Sequence, residues 1–215
     1  MAVALFDQEA TFAPELEAEI LVIACGAIAR ELIELRRLNG WDHLIIECLP
    51  AKLHNTPGLI TDAVRQRLDR AEGRYQRVFV GYADCGTGGD LDRLLAERGI
   101  ERIPGAHCYQ FFAGGAEFLA MHDAEPATFY LTDFLCRHFD LFVVRGLGLD
   151  RHPELLPQYF GNYLRLVFLA QTDDPELDRR GQEAAAYLGL GYERVATGMG
   201  DLETSLARFA GANDG

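Results

Sequence analysis

Ile20-Leu21-Val22-Ile23-Ala24-Cys25-Gly26, running on through Ala27-Ile28-Ala29-Arg30-Glu31-Leu32-Ile33-Glu34-Leu35-Arg36-Arg37-Leu38-Asn39-Gly40, is the stretch whose reading decides the fold. Residues 20–24 are an unbroken apolar run, short enough for a strand and hydrophobic enough to be covered on both faces, as strands of a parallel sheet are. Residues 27–38 then place Ile28, Leu32, Leu35 and Leu38 at helical spacing, with Arg30, Glu31, Glu34, Arg36 and Arg37 elsewhere. Asn39-Gly40 stops that helix in the manner of a C-terminal cap.

The unit recurs. Further strands are predicted over 44–48, 77–82 and 100–104, with helices over 59–71, 91–97 and 109–122. The second half offers strands over 128–131, 165–170 and 193–196 and helices over 133–142, 152–159, 175–188 and 202–209. Strand and helix alternate throughout, so the class is α/β, with mainly parallel sheets of Rossmann-like type and helices on both faces. The expected organisation is an acidic leader over 1–18, a first α/β half over 19–122 and a second over 123–215. The two halves are read either as similar lobes, breaking near Asp123, Glu125 and Pro126, or as one continuous domain.

Composition narrows the partners. Of 215 residues 49 % are apolar and 25 % charged, the ordinary globular balance. Twenty basic against 33 acidic residues leave a net charge of −13, the wrong sign for a nucleic-acid binder or for docking on anionic membranes. No apolar run approaches the roughly 18 residues that cross a bilayer. The first twenty residues carry five acidic side chains and no basic one, unlike a signal peptide. The expectation is a cytoplasmic protein acting on a small molecule, its five cysteines thiols, metal ligands or redox groups and not a disulfide framework.

The cysteines fall in a pattern. Cys25 follows the first strand, Cys48 ends the second, and Cys85 and Cys108 come shortly after the third and fourth. Parallel strands share one C-terminal rim, and ligands of open α/β sheets gather there. His54, in the loop after the second strand, and His107, next to Cys108, join the set. Thiolates and imidazoles converging from separate loops suit zinc or an iron–sulfur cluster. Cys25, Cys85 and Cys108 are therefore the candidate metal ligands. His54, Asp84 and His107 are the candidate proton carriers, and Glu47 is a fainter acid on the same rim. Cys48 could instead point into the core. Cys136, inside a predicted helix, reads as a small buried hydrophobe.

Gly86-Thr87-Gly88-Gly89 follows Cys85 and precedes a helix. Successive amides there suit an anion or cofactor phosphate; the alternative is a tight turn leaving the sheet. The stretch completes neither a dinucleotide fingerprint nor a P-loop. Thr197-Gly198-Met199-Gly200-Asp201 is a similar turn in the second half. Tyr109, Phe111 and Phe112 suit a pocket wall or a helix face on the sheet, and His122, His138 and His152 read as ordinary helix residues.

Cys25-Gly26, Leu49-Pro50 with Leu53-His54 and Pro57, Asp84-Cys85-Gly86-Thr87-Gly88, and Pro104-Gly105-Ala106-His107-Cys108 together resemble a prokaryotic family of unknown function, over roughly residues 20–207. Members often occur near corrinoid-dependent methylamine methyltransferases. In that family's pattern a residue can separate the histidine from the second cysteine; here the two are adjacent, so either His107 or Cys108 can be the ligand. The resemblance implies a methyl-transfer setting and names no reaction.

Three functions follow as expectations. The first is a zinc enzyme of methyl or one-carbon transfer, in which a thiolate site activates an incoming thiol. The second is a lyase or dehydratase built on a [4Fe–4S] cluster held by the same three cysteines, with one iron open. The third is an accessory protein that binds a corrinoid protein or its methyltransferase. Acid/base chemistry by a cysteine pair, without metal, is a fourth arrangement of the same residues.

Overall fold

The computed structural model describes residues 8–12 and 19–211. Most of the expected acidic leader, residues 1–7 and 13–18, lies outside the described residues. The part inside is a strand, β1 (Ala10–Phe12), paired antiparallel with the second sheet strand.

The chain divides into two compact units. The first runs to Cys108 and takes in the C-terminal helix from Leu202; the second is Tyr109–Asp201. Unit one therefore recruits a helix nearly a hundred residues away in sequence. The 123–127 stretch lies inside unit two.

Unit one holds β2 (Ile20–Cys25), α1 (Ala29–Asn39), β3 (Leu44–Leu49), α2 (Ile60–Ala71), β4 (Arg77–Gly81), α3 (Asp90–Arg98) and β5 (Glu101–Arg102). Its sheet has the order β1-β3-β2-β4-β5, and every pair but β1–β3 is parallel. All six residues of β2 are buried, as the unbroken apolar run requires. Each fully buried Ile, Leu or Val there contributes about 1.5–3 kcal/mol of burial free energy. The helices cover this sheet with Leu32 and Leu35 of α1, with Ile60, Val64 and Leu68 of α2, and with Leu91, Leu94 and Leu95 of α3. These sets recur every three or four residues, one stripe per helix. Gly40 closes α1 in the left-handed conformation, as Asn39-Gly40 predicts. The fourth strand is much shorter than 100–104, because only Glu101 and Arg102 pair with β4.

From β2 the chain passes to β3 on one side and then to β4 on the other. The order of the sheet thus reverses between β2 and β4, and this is where open α/β sheets place their ligands. Cys25 ends β2, and Tyr82 to Cys85 leave β4, so both flank that reversal.

Unit two contains α4 (Cys108–Ala113, from its second residue), α5 (Gly115–Ala124), β6 (Thr128–Thr132), α6 (Asp133–Arg137), α7 (Leu156–Phe160), β7 (Arg165–Ala170), α8 (Pro175–Leu188) and β8 (Gly191–Ala196). Its three strands are parallel in the order β6-β7-β8. Three predicted elements differ. The helix over 109–122 breaks at Gly114, whose φ of +81° ends α4 before α5 begins. The helix over 133–142 stops at Arg137, and a π turn, Asp140–Val144, follows. The helix over 152–159 begins as a 3-10 turn, Pro153–Leu155, ahead of α7. Phe111, Phe112 and Phe118 are buried, and Tyr109 stacks on Tyr130 at 5.5 Å, so the aromatic run packs this unit. Cys136 is buried and donates to the Leu177 carbonyl at 3.0 Å, a core thiol as expected.

The last helix, α9 (Gly200–Gly211), buries Leu202, Leu206 and Phe209. Phe209 stacks on Phe79 of β4 at 4.5 Å, and Arg77 lies over the same ring at 4.1 Å while donating to the Phe209 carbonyl.

Candidate functional site

The rim of unit one is built from four loops. After β2, the Cys25 sulfur accepts from the Ala27 amide at 3.5 Å and starts a 3-10 turn, Gly26–Ile28. After β3, a 3-10 turn over Ala51–Asn55 carries His54, and a second one, Pro57–Leu59, leads into α2. After β4 comes the Cys85 turn. After β5, Gly105 to Cys108 run alongside that turn.

Asp84 organises the Cys85 turn. Its carboxylate accepts from the amides of Gly86, Gly88 and Gly89 at 3.2, 3.3 and 2.9 Å and from the Thr87 hydroxyl at 2.7 Å. Burial works to raise its pKa, but the Thr87 hydroxyl and the three amides outweigh it and hold the carboxyl below the ordinary Asp range. The Gly86–Gly89 turn is thus an anion nest whose anion is the protein's own side chain. In this conformation those amides are engaged, and Asp84 is a loop-holding carboxylate with its acceptor sites filled, poorly suited to carrying a proton.

Two backbone bonds tie this turn to the next loop: Asp84 N–H to the Gly105 carbonyl at 3.1 Å and Cys85 N–H to that of Ala106 at 2.8 Å. Arg102 fixes the second loop. It donates to the Ile103 carbonyl at 2.7 Å and grips Asp92 of α3 with both arms, at 2.6 and 2.9 Å. Sequence reasoning passed over Arg102. Its signal was faint, an arginine ten residues after an acidic helix position, in a chain whose basic residues are nearly all arginine.

The result is a sulfur pair. Cys85 Sγ and Cys108 Sγ are 3.2 Å apart, within hydrogen-bond distance, and neither is in a disulfide. Cys85 has a φ of +48° and is the one non-glycine residue with positive φ among the described residues. Such a conformation costs on the order of 1–3 kcal/mol and persists where the surrounding structure over-determines it. The hydrogen bond with Cys108 lowers the Cys85 pKa against its burial. Cys108 is pushed up, first by that bond and then by burial. Burial lifts Cys25 to about 12, and the charge of Cys85 adds to the lift. Cys48 is fully buried in β3 and also raised by burial, so it belongs to the core.

Tyr82 lies under these thiols, 1 % exposed. Its hydroxyl makes no well-formed hydrogen bond and has only a weak contact with the Cys25 thiol. Burial raises its pKa well above the ordinary value, and Cys25, Cys108 and Cys85 add to the effect. The sequence pointed to this residue only as the end of an apolar strand.

His54 is half-buried, and its pKa is lowered first by burial and then by His107, so the two imidazoles share one electrostatic neighbourhood. Pro57, after His54, lies under the Cys85 turn: a Cβ on Gly86 would meet its Cγ at 3.2 Å. Glu47 is taken up by Arg67 at 3.0 Å, and Arg67 also meets Glu9 at 3.2 Å. Among the described residues no three His, Cys, Asp or Glu side chains converge as a metal-holding group. Of the three candidate ligands, Cys85 and Cys108 are in contact, and Cys25 is coupled to both by charge.

A family model matches residues 48–206 of this chain. The chain belongs to the DUF1638 family, proteins of unknown function. The match takes in His54, Asp84, Cys85, His107 and Cys108 of this DUF1638 chain and begins after Cys25. No curated protein and no solved structure matches it. Among the described residues no helix is long and apolar enough to cross a membrane.

Proposed function

We propose that this chain is a metal-dependent thiolate enzyme of methyl or one-carbon transfer, with zinc held by Cys25, Cys85 and Cys108 and with His54 or His107 as fourth ligand or proton carrier. The observation that carries the reading is the 3.2 Å sulfur pair on a strained cysteine at the reversal point of a parallel sheet.

The donor set suits the ion. Sulfur and imidazole nitrogen are the ligands zinc prefers, and two thiolates on one tetrahedral ion stand about 3.8 Å apart at ordinary zinc–sulfur lengths. Cys85 and Cys108 would open by roughly half an Ångström to reach that spacing. Three desolvated thiols cannot all ionise beside one another without a cation, and a divalent ion removes that obstacle. The orphaned Tyr82 hydroxyl beneath them is placed to donate to a thiolate.

Zinc bound there would supply Lewis acidity that favours ionisation of an incoming thiol. The protein's own groups do the rest. Burial keeps His54 neutral near pH 7, so one imidazole nitrogen is available to take the proton such a thiol releases. Asp84 and Arg102 hold the two sulfur-bearing loops in register. The methyl-transfer class and a corrinoid protein or methyltransferase as partner are drawn from the family resemblance of the rim motifs. Five free thiols fit a reducing, cytoplasmic setting.

Anaerobic purification without a metal-affinity tag, followed by zinc, iron and sulfide analysis, tests the reading. About one zinc per chain, lost in Cys85→Ser, is expected. About four iron and four sulfide per chain would move the site to a cluster-dependent lyase. A wild-type protein without metal overturns both and leaves cysteine acid/base chemistry or an accessory role.

A further inference from the structure

We propose that Cys85 and Cys108 are a redox modification site, a thiol pair that a small hydroperoxide converts reversibly into an intramolecular disulfide. The inference stands on the sulfur contact and goes beyond the metal reading; where that reading holds, oxidation withdraws two of the three thiolates at once.

The geometry is prepared for the bond. The sulfurs are 3.2 Å apart, so closing to the bonded distance of about 2.05 Å takes roughly 1.2 Å of movement. The loops that carry them are already tied by the Asp84–Gly105 and Cys85–Ala106 backbone bonds, and the Arg102 fork anchors the second loop to α3. Cys108 is partly exposed and Cys85 is 5 % exposed, which admits a small oxidant and excludes a bulky one. The other thiols are placed differently. Cys25 accepts from the Ala27 amide, Cys48 is fully buried, and Cys136 donates to the Leu177 carbonyl.

The chemistry balances. The Cys85 sulfur attacks the peroxide oxygen and gives up its thiol proton. The O–O bond breaks, and the departing oxygen takes a proton to leave as water or an alcohol. Cys85 is thereby oxidised by two electrons to the sulfenic acid. The Cys108 sulfur then attacks the Cys85 sulfur, the S–O bond breaks, and the hydroxide leaves with the Cys108 proton as water. Two thiols and one hydroperoxide become one disulfide, one water and one water or alcohol. A dithiol reductant reverses it by exchange.

The test uses the full-length protein, its zinc measured and then removed with a chelator, treated with hydrogen peroxide, alkylated and mapped by peptide mass spectrometry. The expected result is a cross-link joining the Cys85 and Cys108 peptides, reversed by dithiothreitol and forming about tenfold faster than any cross-link through Cys25, Cys48 or Cys136. In Cys108→Ser, and in Cys108→Ala as a second variant, dimedone should trap the sulfenic acid at Cys85. Circular dichroism shows which variant is folded. A cross-link through Cys25 instead, or irreversible oxidation of Cys85 in the wild type without any cross-link, overturns the inference. Protein that carries no zinc yet forms the bond overturns the metal reading alone. Protein that carries zinc and resists the bond after chelation overturns this inference alone.

Discussion

Tyr82→Phe is expected to make the metal-free protein more stable, although it removes a polar group from the centre of the site. The side chain is 1 % exposed and its hydroxyl makes no well-formed hydrogen bond, only a weak contact with the Cys25 thiol. A buried, unsatisfied polar group costs about 1–3 kcal/mol relative to one left in water. The groups coupled to it are the thiols of Cys25, Cys108 and Cys85, and sulfur is a weak acceptor that recovers little of that cost. Phenylalanine keeps the ring and its packing and leaves only a one-atom void, whose cost is a few tenths of a kcal/mol on the usual scale of about 24 cal/mol per Å³. The balance is a gain of roughly 1 kcal/mol, or about 2–4 °C in Tm for a chain of this size. Thermal melts of chelator-treated wild type and variant measure it, with urea midpoints as a check. The same variant should bind zinc more weakly, because the thiolates lose a buried donor. A lower Tm for Tyr82→Phe would show that the hydroxyl has a good partner in solution and would refute the argument that it waits for one.

Asp84→Asn is expected to destabilise unit one by about 1–2 kcal/mol at neutral pH, since the nest loses its charge-assisted bonds. The folded Asp84 carboxyl is held below its ordinary range. Its contribution is therefore complete above a pH of about 4 and is lost as pH falls through the folded value. The gap between wild type and variant in chemical denaturation should close on acidification below about pH 4; a constant gap at every pH would show that charge plays no part. In unit two, Gly200→Ala should cost about 3 kcal/mol or more. Its φ is +49°, and a Cβ there would lie 2.3 Å from the Phe112 carbonyl oxygen; a variant melting with the wild type would disprove that contact.

The local periods of this chain were legible in its sequence. The apolar run at 20–24 and the stripes of α1, α2 and α8 depend on residues close in sequence, and they stand where the spacing places them. The breaks were harder. Gly114, a poor helix former held at positive φ, divides one helix, and a π turn follows another. Placing Cys25, Cys85, Cys108, His54 and His107 at strand ends was also a sequence matter, since parallel strands share a rim. Which of them touch was not. The Cys85–Cys108 contact depends on two loops tied by backbone bonds, the second of them anchored to α3 by Arg102, across 23 residues of chain. The filling of the Gly86–Gly89 nest by Asp84 depends on left-handed backbone at Cys85, Gly86, Gly88 and Gly89. The orphaned hydroxyl of Tyr82 exists only because the folded rim closes over it. Composition and spacing determined which chemical groups this protein gathers at one edge. Tertiary structure decided which sulfurs meet and which amides are already engaged, because contacts and desolvation arise between segments that sequence distance does not relate.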